Sequence, residues 1–78
     1  MPTGAIAQKL DARGLNCPMP IVKTAMAIKA LAPGELLEVL ATDPGAVKDF
    51  AAWSKSTGNG IVEQSIDDGV YRFVIAKK

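Results

Sequence analysis

Cys17 is the residue of this chain best suited to chemistry. It is the only cysteine, it stands in the run Leu15-Asn16-Cys17-Pro18-Met19-Pro20, and a strong helical pattern follows at once. A thiol at the first turn of a helix lies beside unpaired backbone N–H groups and the positive end of the helix dipole. Both favour negative charge on sulfur, and the thiolate is the nucleophilic form. With Cys17 as the N-cap, Pro18 falls at N1 and Pro20 at N3. The two prolines remove two N–H groups but stiffen the turn through their fixed φ; Met19 and Ile21 keep theirs. Arg13 and Lys23 flank the thiol in sequence and add positive potential. Together these residues predict a lowered thiol pKa. The competing reading is packing, because free cysteines are among the most buried residues and behave as small hydrophobes. Position alone leaves both readings open.

The rest of the composition narrows what such a sulfur can do. The chain has no histidine, which excludes the cysteine–histidine pair of cysteine hydrolases. It has no second cysteine, which excludes an intrachain dithiol–disulfide cycle. One-sulfur chemistry remains, and persulfide transfer fits it. A thiolate takes a sulfur atom from a donor persulfide, and an acceptor thiol later attacks the outer sulfur. One cysteine without histidine is also a poor start for a zinc site, so neither metal nor bound cofactor is expected. The net charge is +1, and the nine Lys and Arg residues are spread along the chain. This argues against direct nucleic-acid binding, which calls for a basic patch. No stretch approaches the length of a transmembrane helix. The N-terminal residues lack the charged-then-apolar layout of a signal peptide. With a free thiol, this predicts a cytoplasmic protein.

The elements that must position Cys17 are readable from periodicity. Seventy-eight residues predict a single domain over 1–78, with its core at about 6–77. With no disulfide or metal to help, that core must come from apolar packing, for which 49% hydrophobic residues provide the material. Residues 1–5 read as a loose terminus and Ile6 to Asp11 as a strand ending at Ala12-Arg13-Gly14. Pro18 to Leu31 reads as a helix, with Ile21, Ala25, Ile28 and Ala32 on one face and Pro33-Gly34 as its stop. Glu35 to Thr42 reads as a strand with Leu37, Val39 and Ala41 on one face. Asp43 as N-cap and Pro44 at N1 open a second helix. Val47, Phe50, Ala51 and Ser54 mark its inner face, with Trp53 at the edge and Thr57-Gly58-Asn59-Gly60 at its end. Ile61 to Ile66 and Val70 to Ala76 read as strands joined at Asp67-Asp68-Gly69, a type I′ hairpin signal. The order β-α-β-α-β-β predicts an α/β (α+β) two-layer sandwich, a four-stranded mixed sheet with both helices on one face.

Other residues carry secondary readings. Met19, Val22 and Met26 fall on a narrow arc of the first helix, away from its main apolar face. They read either as an apolar docking surface beside the sulfur or as the margin of the core. Asp11 and Arg13 read as a brace for the Cys17 loop or as an ordinary surface ion pair. Asp67-Asp68 reads as a turn and not a metal site. Gly58-Asn59-Gly60 lacks the context of a phosphate loop. Phe50 and Trp53 read as core, since no basic groove accompanies them for base stacking.

The run Leu10-Asp11-Ala12-Arg13-Gly14-Leu15-Asn16-Cys17-Pro18-Met19-Pro20 strongly resembles the signature of the TusA (SirA-like) sulfur carrier family, with its Cys-Pro-x-Pro motif. The likeness extends from about Gln8 to Ala76 and includes the element order and the Thr42-Asp43-Pro44-Gly45-Ala46 helix start. It implies a two-layer sandwich and a persulfide on Cys17, with Asp11, Arg13, Gly14, Pro18 and Pro20 as the motif's framework. It implies a sulfurtransferase-type carrier working in a relay, without a cofactor. Donors would be cysteine desulfurases or rhodanese-like proteins, and acceptors would include DsrE-like complexes. The pathways implied are tRNA thiolation, molybdenum cofactor assembly and sulfur oxidation. The alternatives are a regulatory or interaction domain in which Cys17 is structural and, against the charge balance, a nucleic-acid-binding module.

Overall fold

Strand residues project alternately to opposite faces of a sheet, and one face must be covered by something apolar. In a computed structural model of the protein, describing residues 6–78, that cover is a pair of helices. The loose terminus expected over residues 1–5 lies outside the described residues. The elements are β1 (Ile6–Ala12), α1 (Met19–Ile28), β2 (Leu36–Ala41), α2 (Ala46–Thr57), β3 (Gly60–Asp67) and β4 (Val70–Ala76). The sheet order is β1-β2-β4-β3. β1 runs parallel to β2, and β4 runs antiparallel to both β2 and β3. This is the expected four-stranded mixed sheet with two helices.

The core forms where the helices meet the sheet. Leu37, Val39 and Ala41 of β2 and Phe73 and Ile75 of β4 are wholly enclosed there with Ala12, Ile28, Ala46 and Phe50. The Phe50 ring stacks on Phe73 at 4.4 Å between centroids, and Trp53 meets Phe50 edge-on at 6.3 Å. At the β3–β4 turn, Asp68 and Gly69 have φ of +51° and +78°. Two successive left-handed residues are what a type I′ turn requires.

Three details of the helices differ from expectation. α1 begins one residue later, with Pro18 in the N-cap and Pro20 at N2, so Cys17 precedes the helix. Its buried face is Pro20, Thr24 and Ile28, with Ile21, Ala27 and Leu31 partly buried, while Ala32 is exposed. The buried Thr24 fits because its hydroxyl donates to the Pro20 carbonyl at 2.7 Å. The helix tightens after Ile28, where Ala30 and Leu31 donate three residues back, turning Leu31 inward and Ala32 out. α2 is capped by Gly45, not Asp43. The Asp43 carbonyl instead accepts the Ala46 N–H in a turn (3.0 Å), and its side chain makes no cap bond. On α2, Ala46 and Phe50 are buried, Val47 and Trp53 pack partly buried against the core, Ser54 is partly buried, and Ala51 is exposed.

Candidate functional site

The β1–α1 connection is two tight turns, and Cys17 stands in the second. Leu15 N–H donates to the Ala12 carbonyl (3.3 Å), closing the first turn around Arg13 and Gly14. Gly14 has φ +81°, a left-handed conformation that glycine adopts without penalty. Its N–H donates to Thr42 Oγ1 at 2.9 Å, tying this loop to the end of β2. Asp11 braces the entry. Its carboxylate accepts Arg13 Nε at 2.8 Å, Arg13 Nη2 at 2.9 Å and the Arg13 backbone N–H at 3.1 Å. These bonds hold the Asp11 carboxyl at about 2, well below the usual carboxylate range. The second turn closes when Met19 N–H donates to the Asn16 carbonyl at 2.8 Å. Cys17 and Pro18 lie within it, joined by a cis peptide bond.

Cys17 is exposed, which removes the reading as core filler. Beside it α1 presents Met19 and Val22, each 41% exposed, and Met26, 67% exposed. These three are surface, not core margin. Lys23 and Met26 also line a groove of about 280 Å³ with Leu10 and Ala27, between α1 and strand β1. The motif residues thus converge: Asp11, Arg13 and Gly14 shape the loop, Cys17 tops it, and Pro18 and Pro20 lead it into α1.

The electrostatics of the thiol overturn the expected lowering of its pKa. The Cys17 pKa is raised, chiefly by the Asp49 carboxylate, then by desolvation and by the charge of Asp43. Some of the favourable influences foreseen from sequence are spent elsewhere. Met19 N–H is taken by Asn16, Pro18 and Pro20 have none, and Arg13 is forked onto Asp11. The two acidic residues come from the start of α2. A Cβ built on Gly45 would lie 3.1 Å from Asp43 Oδ2 and 3.8 Å from Asp49 Oδ2, so both carboxylates gather over that glycine. Sequence reasoning read Asp43 as a cap and passed over Asp49. The signal was in the topology. β1 and β2 are parallel neighbours, so the helices that follow them begin at the same end of the sheet.

Fold and site together define a class: a small two-layer domain that presents a single thiol at its surface, on a turn braced by prolines. Comparison with known proteins makes this specific. The chain belongs to the family described as Sulfurtransferase TusA, whose family model matches residues 8–77. It is 49% identical over 70 residues to the Sulfur carrier protein TusA of Allochromatium vinosum, covering 90% of this chain and 92% of that one. It is 52% identical over 68 residues to the Putative sulfur carrier protein YrkI of Bacillus subtilis, covering 87% and 91%. In fold it is similar to a SirA-like protein from Desulfitobacterium hafniense, with a TM-score of 0.77 over 88% of this chain and 95% of that one, at 22% identity.

Proposed function

We propose that this protein is a sulfur carrier that holds sulfane sulfur as a persulfide on Cys17. The observation that carries this reading is the exposed, lone thiol on a doubly closed turn, in a chain of the TusA family. In loading, the Cys17 sulfur attacks the outer sulfur of a donor persulfide. A sulfur–sulfur bond forms on Cys17 as the donor's breaks. The donor leaves as a thiolate and takes up the proton that Cys17 gives up. Delivery is the same exchange with an acceptor thiol, so one sulfur atom moves and no outside oxidant or reductant is consumed. A cysteine desulfurase or rhodanese-like protein acts as donor and a DsrE-like protein as acceptor, serving tRNA thiolation, sulfur oxidation or molybdenum cofactor assembly. The reducing cytoplasm suits a carrier that must keep its one thiol free. Asp11, Arg13, Gly14, Pro18 and Pro20 hold the loop in shape. Met19, Val22 and Met26 form the docking surface, since flexible methionines adapt to successive partners, with Lys23 at its edge.

Intact-mass measurement tests the reading. After incubation with a cysteine desulfurase and cysteine, or a rhodanese and thiosulfate, the protein gains the mass of one or more sulfur atoms, removable by reductant. Cys17→Ser gains none. Met26→Ala loads more slowly with an unchanged melting temperature. Wild-type protein that gains nothing from either donor system overturns the carrier role in favour of an interaction domain.

A further inference from the structure

The large apolar side chains left exposed among the described residues fall in two groups: Met19, Val22 and Met26 on α1, and Val62 and Ile66 on β3, at 59% and 60% exposure. The second group has no part in sulfur transfer. β3 is an edge strand, and every residue from Val62 to Asp67 is exposed. The outer N–H and C=O groups of such a strand are a template for another strand. The other edge, β1, carries Lys9 and Asp11 and no exposed large apolar side chain. The β3 ladder to β4 slips between Ile61 and Glu63 and is regular from Glu63 to Asp67. Gln64 and Ile66 lie across from Phe73 and Tyr71, on the helix side of the sheet, yet α2 leaves them uncovered. Charge along this edge is sorted by end. Asp67 and Asp68 stand where β3 turns into β4. At the other end the last turn of α2 carries Lys55, and Lys77 and Lys78 follow Ala76, which pairs with Gly60. The Lys78 backbone N–H donates to Asn59 Oδ1 at 2.8 Å, which holds that end in place. None of these lysines and aspartates is in a salt bridge among the described residues.

We propose that β3 is a self-association edge: a second copy of this chain adds its own β3 antiparallel, about a two-fold axis through Gln64, so that two four-stranded sheets become one. The register follows from the residue types. Opposed residues project to the same face of a sheet, so the axis falls on a residue. At Gln64 it sets Val62 opposite Ile66 of the second copy, twice, and Glu63 opposite Ser65. An axis at Glu63 puts the two Glu63 side chains against each other, and one at Ser65 sets Glu63 against Asp67 twice; like charges directly opposite are destabilising. Gln64 on the axis meets its own copy, and an amide supplies both donor and acceptor. Antiparallel pairing also lays Asp67 and Asp68 beside the lysine end of the second copy, whereas parallel pairing brings like beside like. The same patch serves on both copies, as two-fold symmetry requires. One strand pair is a small interface, so the association is weak and reversible. Cys17 follows β1, at the opposite edge of the sheet, and both thiols stay open to donors and acceptors.

The test uses the whole chain with Cys17 kept reduced, so that no disulfide links two copies. Sedimentation equilibrium between about 10 μM and about 1 mM shows the mean mass rising from that of a monomer towards that of a dimer, less steeply at high salt. Val62→Lys and Ile66→Lys each weaken the association about ten-fold, since each substitution is felt twice across the axis. Both leave the melting temperature unchanged, because both sites are exposed. Asp67→Lys alone and Lys78→Glu alone weaken association, and the two combined in one chain restore it. Amide NMR spectra locate the interface: resonances of Gly60 to Asp68 move with concentration and those of the Cys17 loop stay still. A monomer mass over the whole range overturns the proposal, as does a dimer whose shifting resonances lie on β1 or α1. Sulfur loading enters none of these measurements, so failure of the mass assay strikes the carrier reading and leaves them as they are.

Discussion

Cys17 lies in acidic company, and that fact could not be read along the chain. The motif Asp11-x-Arg13-Gly14-x-x-Cys17-Pro18-x-Pro20 was legible because its members are close in sequence and its glycine and prolines have local backbone meaning. The charge on the sulfur's surroundings was not, because Arg13 spends its cation on Asp11, two residues away, while Asp43 and Asp49 arrive from another element. The Asp11–Arg13 pair gives its own prediction. Asp11 is held at about 2 against an ordinary 3.8. A depressed carboxyl stabilises the fold above its ordinary value and stops doing so as pH falls through the native one. Asp11→Asn therefore costs a little stability at pH 7, small because both side chains are more than half exposed. The difference between wild type and variant closes by about pH 2, which urea melts at the two pH values will show.

Among the elements, the strands were more legible than the helices. Val70–Ala76 has the bounds expected of it, because a strong turn signal precedes it and alternation marks it. Helix starts depend on which backbone group captures which N–H, and here local turns win. Asp43 heads a turn with Ala46, and Asn16 heads one with Met19, so both helices begin later than their cap-like residues suggest. That same competition leaves the Asp43 side chain without a cap bond on its own helix. The β1–α1 turn yields the second prediction. Gly14 has open space around it but a φ of +81°. Gly14→Ala costs about 1–2 kcal/mol from left-handed backbone alone. It also relaxes the Thr42 tether, so sulfur loading falls further than the loss of folded protein explains. Denaturant midpoints beside loading rates per folded molecule separate the two effects.

For the molecule as a whole, one aromatic pair joins the two layers. Phe50 of α2 stacks on Phe73 of β4, and both are fully enclosed. Phe50→Ala removes about 3–5 kcal/mol, a large share of what a domain of this size commands. Urea unfolding should show a midpoint far below wild type, or no folded baseline. The sheet order gives that pair a wider meaning. β4 is the last strand in sequence, yet it sits between β2 and β3. During synthesis, β1, α1 and β2 leave the ribosome with an open edge, and α2 and β3 follow with nothing to join them to it. In the folded sheet β4 is the strand that links the two. The β2–β4 ladder thus joins segments distant in sequence, and pairing of that kind slows folding.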